Sequence, residues 1–260
     1  MQLNNDLFAL LLALCAGLCT GIGGLTVVIA RQNVRRLLPF SLGFAAGVMV
    51  MVSLADILPE SAAFIGRSIR HPFAGVSALL AMIFGMVLAA LASNSLPQEA
   101  AWLSPSAKAP PGIARVGLVT MAAVVAHNVP EGIATYMAGC GERSLGVSVA
   151  AAIALHNIPE GISVAIPVYY ATGSKRKGLV CALVSGLGEP LGALLALILL
   201  RPFLTGLSLG AILGIVSGIM VFVSFDELIP AALRYGKRTT VAGILLGLVV
   251  MGAYLTLFTQ

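Results

Sequence analysis

Eight apolar stretches, each of roughly 20 residues or more, alternate with short polar breaks along the whole chain. They fall near residues 7–30, 38–63, 73–95, 113–139, 145–172, 178–200, 206–233 and 239–259. As helices, stretches of this length cross the ~30 Å hydrocarbon core of a bilayer. No segment alternates apolar and polar positions as the strands of an outer-membrane barrel do. The pattern predicts an all-α membrane protein of eight transmembrane helices, folded as a single domain over residues 1–260.

Composition agrees: 59% of the 260 residues are hydrophobic and 10% are charged, against about 25% charged in a soluble domain. The first residues include Gln2, Asn4, Asn5 and Asp6, with no basic run, and Leu14 precedes Cys15 where a cleavage site wants a small residue. Residues 7–30 are therefore expected to be a retained span. The break at 93–115 is rich in serine and proline, including Ser93, Ser95, Pro97, Ser104, Pro105, Pro110 and Pro111, and reads as a flexible cytoplasmic linker. It contains no histidine.

Charge adds an orientation. The breaks after the first, third, fifth and seventh spans hold eleven bases: Arg31, Arg35, Arg36, Lys108, Arg115, Lys175, Arg176, Lys177, Arg234, Lys237 and Arg238. The opposite side holds four: Arg67, Arg70, Arg143 and Arg201. The positive-inside rule makes the richer side cytoplasmic and turns both termini outward. The net charge of +5 thus follows topology and gives no support to nucleic-acid binding. Acids behave differently. Asp56, Glu60, Glu131, Glu160, Glu189, Asp226 and Glu227, seven of the ten, lie in or at the edge of spans, which suits a cation path. Cys15, Cys19, Cys140 and Cys181 form no disulfide pattern and no CxxC pair; Cys15 and Cys19 share a helix face and read as core packing.

Two repeats organise the chain. HNVPEG at 127–132 recurs as HNIPEG at 156–161, both inside apolar spans. Residues 43–59 also align with 214–230 without gaps, pairing Gly43 with Gly214, Gly47 with Gly218, Met49 with Met220, Ser53 with Ser224, Asp56 with Glu227 and Pro59 with Pro230. Five crossings separate these spans, so the repeat is inverted. In secondary transporters that arrangement puts the substrate site near the midplane, at the repeat interface. The hexapeptides occupy that place.

Their chemistry is that of a metal site. At about 100° per residue, His127, Asn128 and Glu131 share one helix stripe, and His156, Asn157 and Glu160 share another. Facing stripes bring together two imidazoles, two carboxylates and two amide oxygens, the way helix bundles build metal centres. Pro130 and Pro159 free the carbonyls of Ala126 and Leu155, and Gly132 and Gly161 allow close helix approach. Glu189, followed by Pro190, is the best additional ligand. Polar glue between helices would need only Gln, Asn or Ser, without burying histidines and glutamates. Met49 reads as core, while Asp56 and Glu227 are equally readable as pathway acids or helix-end charges.

Four segments carry a family resemblance: HNVPEGIAT at 127–135, ALHNIPEGISVAIPVYYATGSKR at 154–176, SLGFAAG at 41–47 and VSFDELIPAA at 223–232. On them the chain resembles the ZIP (Zrt-, Irt-like protein) family of divalent-metal transporters, most closely its bacterial ZupT-type branch. The resemblance implies eight helices in a 3+2+3 inverted-repeat bundle, both termini outside. It implies a primary metal site at His127, Glu131, His156 and Glu160, with Asn128, Asn157 and Glu189 joining the two glutamates around a second ion. Some branches carry an acid where Asn157 stands, and many carry a histidine-rich loop that this chain lacks.

The expectation is a secondary transporter in the bacterial inner membrane. It would import Zn²⁺ foremost, and also Fe²⁺, Mn²⁺ or Co²⁺, since nitrogen and oxygen ligands without thiolates suit these ions. The transported ion is the only bound species expected, with no permanent cofactor and no catalytic residues. The implied partners are metal ions and the lipid bilayer, with a homodimer left open. An intramembrane metal-dependent hydrolase is the competing reading, but HNxPEG is not HExxH and reserves no further residue as a base. A haem subunit using His127 and His156 is disfavoured by the acids beside them.

Overall fold

Long apolar runs interrupted by few breakers form eight helices long and apolar enough to cross a membrane among the described residues. The structure, a computed structural model, describes residues 2–29, 34–70, 72–95, 112–200, 203 and 205–258. The spans are α1 (Asn4–Val28), α2 (Leu37–Gly66), α3 (Phe73–Ser93), α4 (Ile113–Gly141), α5 (Arg143–Thr172), α6 (Lys175–Ile198), α7 (Gly206–Leu233) and α8 (Lys237–Leu257). Each overlaps the stretch expected from hydropathy, with ends moved by three residues or fewer. The expected linker at 93–115 lies mostly outside the described residues.

The inverted repeat is visible in local backbone. α2 and α7 both widen into a π-helical turn, at Ser53–Ile57 and at Ser224–Leu228, the matching positions of the two repeat units. Pro59 and Pro230 follow each turn and cannot donate to the fourth carbonyl before them. In each unit the serine hydroxyl donates back to a methionine carbonyl, Ser53 to Met49 at 2.6 Å and Ser224 to Met220 at 2.8 Å. Both methionines are buried core residues.

Packing obeys the same symmetry. Gly43 and Gly47 of α2 lie against the backbone of Thr240 and Ile244 on α8. In the other unit, Gly218 of α7 lies against Met82 of α3, and Gly85 of α3 against Ile215 of α7. α1 crosses α6 through Gly17 and Gly186, each of which would drive an added Cβ into the other's carbonyl oxygen. Such glycine contacts matter in lipid, where helices associate by close packing rather than by expelling water.

These contacts sort the helices into two groups. α1, α4, α5 and α6 are knit together, and so are α2, α3, α7 and α8. Among the described residues, each glycine whose added Cβ would strike a neighbour strikes one in its own group. The central hairpin belongs to the first group. α4 and α5 are joined by Glu142 alone, in extended backbone with φ −145° and ψ 126°.

The cysteines on α1 depart from expectation. Cys15 is exposed and Cys19 half-buried, so they line an outer surface of the helix bundle rather than its core. A thiol is apolar enough to face lipid, and a helix face shared by two cysteines does not say what that face meets.

Glycine packing gives a direct test. A Cβ at Gly161 would overlap the carbonyl oxygen of Thr20, whereas one at Gly75 meets nothing within 4 Å. Gly161→Ala should destabilise the protein by about 1–3 kcal/mol. Gly75→Ala should be neutral or mildly stabilising. Thermal unfolding of each purified variant in detergent checks both.

Candidate metal site

The hairpin sets the depth of the site. His127 and His156 lie 15 and 14 residues from Glu142, about 21–23 Å along each helix at 1.5 Å per residue. Both motifs therefore reach the interior of the membrane. The antiparallel register crosses them: His127 Nε2 stands 2.6 Å from Glu160 Oε1, and His156 Nε2 stands 2.9 Å from Glu131 Oε1. The second contact is a hydrogen bond. The first is close enough for an ion pair but is not aligned as one. The two stripes read from helical spacing do face each other.

Burial is nearly complete. His127, Asn128, Asn157 and Glu189 are fully buried, and Glu131, His156 and Glu160 nearly so. Groups this polar at such depth are costly unless partnered.

α6 enters through backbone approach. Its helix is interrupted at Leu187 and restarts at Gly188, with Glu189 in the first turn. Gly188 sits against Asn128 and Val125, Gly192 against the carbonyl of Val129, and Gly132 against the carbonyl of Glu189. A side chain at any of these would push α6 away. Glu189 Oε1 accepts from Asn157 Nδ2, so the third carboxylate joins the pair of motifs.

The asparagines are oriented by neighbours that can only accept. Asn128 Nδ2 donates to the carbonyl of Ser185 at 3.1 Å, and Asn157 Nδ2 donates to the carbonyl of Ala16 at 2.9 Å. With the amide nitrogens so used, both Oδ1 atoms are left buried without a donor. Glu131 Oε2, Glu160 Oε2 and Glu189 Oε2 share that condition. The site thus gathers six buried oxygens that receive no hydrogen bond, Glu160 Oε1 included. A cation satisfies such a set, and a buried polar group without a partner calls for one.

All seven expected residues, His127, Asn128, Glu131, His156, Asn157, Glu160 and Glu189, are brought together on α4, α5 and α6. As they stand, no three His, Cys, Asp or Glu side chains among the described residues are arranged to hold a metal ion. The imidazoles and carboxylates are turned onto one another instead.

The other spanning acids divide. On α2, half-buried Asp56 and exposed Glu60 lie within electrostatic reach of Glu131. On α7, Asp226 is exposed while Glu227 is buried and paired with Arg115 at 2.7 Å. Sequence reading counted Arg115 only as a cytoplasmic base and missed that pairing, and it missed the carbonyls of Ala16 and Ser185 as orienting groups. Backbone carbonyls leave no residue-type signature. The Arg115 pairing had one legible sign, an arginine at the start of a span facing an acid near the end of another.

Comparison with known proteins finds likeness over nearly the whole chain. The family model of the "ZIP Zinc transporter" matches residues 106–255. The chain is 40% identical to the "Zinc transporter ZupT" of Streptococcus mutans over 263 residues, 98% of this chain and 100% of that protein. It is 42% identical to the protein of that name from Chlorobium luteolum over 267 residues, 99% of this chain and 100% of the relative. The relative of the same name from Oceanobacillus iheyensis is 39% identical over 269 residues, 98% of this chain and 99% of the relative.

Imidazole must be neutral and carboxylate ionised to bind metal, so binding displaces protons. Zinc affinity of the purified protein, measured by calorimetry, should fall steadily from about pH 7.5 to pH 5.5, with proton release detectable as a buffer-dependent heat. A flat profile would exclude these groups as the ligands.

Proposed function

The chain belongs to the ZIP zinc transporter family, and from that premise we propose that it imports zinc foremost, through the His/Asn/Glu site of α4, α5 and α6. It is a multi-pass membrane protein and a divalent-metal transporter, not an enzyme. The hydrolase reading finds no support among its relatives.

One observation carries the assignment of the site. Six buried oxygens, from Asn128, Asn157, Glu131, Glu160 and Glu189, receive no hydrogen bond, and two imidazoles stand among them. Donors of this kind favour Zn²⁺, Fe²⁺, Mn²⁺ and Co²⁺ over Cu⁺. An arriving dication takes Nε2 of His127 and His156 and the carboxylates of Glu131 and Glu160, which exchange their contacts with each other for contacts with the ion. Asn128, Asn157 and Glu189 complete its oxygen shell or hold a second ion. No permanent cofactor is needed.

The whole chain acts as one transport domain. The seven residues come from one copy, so each chain of a homodimer would carry its own site. The excess of bases after α1, α3, α5 and α7 supports a cytoplasmic placement of those connections, in a bacterial inner membrane with both termini outside. Asp56 and Glu60 then face the outer side, where acids draw cations toward the site.

Two measurements test this reading. Uptake by a transport-deficient strain, normalised to membrane level, should fall to background for Glu131→Ala and for Glu160→Ala, because each removes a ligand and the charge offsetting a buried dication. Glu189→Ala should be intermediate, Asn157→Ala milder, and Asp226→Ala mildest. Near-normal uptake by both Glu131→Ala and Glu160→Ala would refute the site. Separately, an impermeant thiol reagent added to intact cells should reach Arg143→Cys and not Lys108→Cys; the opposite pattern would reverse the orientation.

A further inference from the structure

The inverted repeat places an acid at matching positions of its two units, Asp56 on α2 and Glu227 on α7. The two acids have different surroundings. Glu227 Oε1 is held by Arg115 Nη1 at 2.7 Å and by the Ser93 hydroxyl at 2.9 Å. Arg115 Nη2 donates at 3.0 Å to both the carbonyl and the hydroxyl of Ser93. No basic side chain among the described residues pairs with Asp56. The hexapeptide offset explains the asymmetry, since the position on α5 that matches Arg115 on α4 is Ser144. Symmetric acids thus meet a base at one end only.

The clasp also crosses the boundary between the two glycine-knit groups. Arg115 belongs to α4, in the group that carries the site. Glu227 and Ser93 belong to α7 and α3, in the other. Next to it, that boundary is loosely filled. A cavity of about 170 Å³ opens between α3, α4 and α7, lined by Ala89, Ala92, Ser93, Ala122, Ala126 and Val223 among others. Ala126 adjoins His127, and Arg115 lies about 18 Å from His127 along α4. Small side chains therefore leave an open crevice beside α4 over this stretch, with Ala92 and Ala126 exposed, and a partly buried ion pair fastens its end.

We infer that the Arg115–Glu227–Ser93 clasp is the inner gate of the transporter, holding the cytoplasmic end of the boundary shut until metal is released. A single charge pair suits this role, because breaking a partly buried, hydrogen-bonded pair has a cost yet leaves no covalent or backbone change to reverse. The acid at the outer end, in no ion pair among the described residues, leaves that side ready to receive cations. The inference rests on the proposed orientation and transport function, and its labelling test is read without metal, so failure of the metal-ligand assignment leaves that readout intact.

Thiol access provides the test. In a chain whose four native cysteines are replaced by alanine, Ala122→Cys puts a reporter in the cavity. Inverted vesicles expose the cytoplasmic face to a membrane-impermeant maleimide. Adding Arg115→Ala or Arg115→Glu should speed labelling by about tenfold or more, a population shift of the closed state. The charge swap Arg115→Glu/Glu227→Arg should slow it again. Equal rates in all these chains overturn the proposal, as does a swap no slower than Arg115→Glu, or acceleration confined to right-side-out vesicles. Since a poorly folded variant would also label quickly, a second chain carries Arg115→Cys and Glu227→Cys, joined by a reducible bis-thiol reagent. Its uptake should drop about tenfold or more and return on reduction; undiminished uptake while cross-linked overturns the gate.

Discussion

A carboxyl group in hydrocarbon is tolerable only when other groups satisfy it, and three of them lie together at the centre of this protein. Glu131, Glu160 and Glu189 are almost wholly buried. Two of them face imidazoles of the opposite helix, and the third accepts from Asn157. Every neighbouring feature serves that constraint. The α4–α5 hairpin turns on a single residue, which gives the two motifs one register. Carbonyls of α1 and α6 take asparagine N–H groups, so both amide oxygens are left without a donor.

Close backbone approach makes those distances attainable. Gly132, Gly188 and Gly192 let α6 lie on α4, and Gly161 admits Thr20 of α1. A methyl group at each place would collide with main chain, not with a yielding side-chain tip, so the helices would have to part. Parting them would separate Glu189 from Asn157 and leave charge unpartnered in a low-dielectric interior, which costs far more than the lost packing. Packing and electrostatics are therefore not separable at this site. The glycines of the hexapeptides belong to its chemistry as much as the histidines do.

Much of this was legible in the residues. Eight spans, the inverted repeat and the facing stripes follow from hydropathy, a constant offset and helical spacing. The π-helical turns at Ser53–Ile57 and Ser224–Leu228 fall where Ser, acid and Pro recur. What escaped depended on contacts between distant elements. Asp56 and Glu227 occupy equivalent sequence positions, but only the fold brings Arg115 to one of them. Likewise, the shared face of Cys15 and Cys19 was clear from spacing, while its exposure depends on where α4, α5 and α6 pack around α1. The partition into two glycine-knit groups was hidden for the same reason, because glycine is common in membrane helices whichever neighbour it meets.

A transporter must release what it binds, and the crossed contacts bear on that requirement. If the carboxylates had no partner but the ion, its departure would strand several charges in a dry interior, and release would be prohibitively slow. Here each imidazole stands within 3 Å of a carboxylate on the other helix, at 2.6 and 2.9 Å. The groups that would grip a dication can therefore grip each other when it leaves. Binding is then an exchange between two compensated arrangements, and its net strength is the modest difference between them, as passage through any selective site demands. Asn128 and Asn157 push the same way, since an amide oxygen coordinates without adding charge that must later be neutralised. The same logic would hold at the end proposed to be cytoplasmic, where Glu227 is compensated by Arg115 and would offer no bare carboxylate to trap a departing ion.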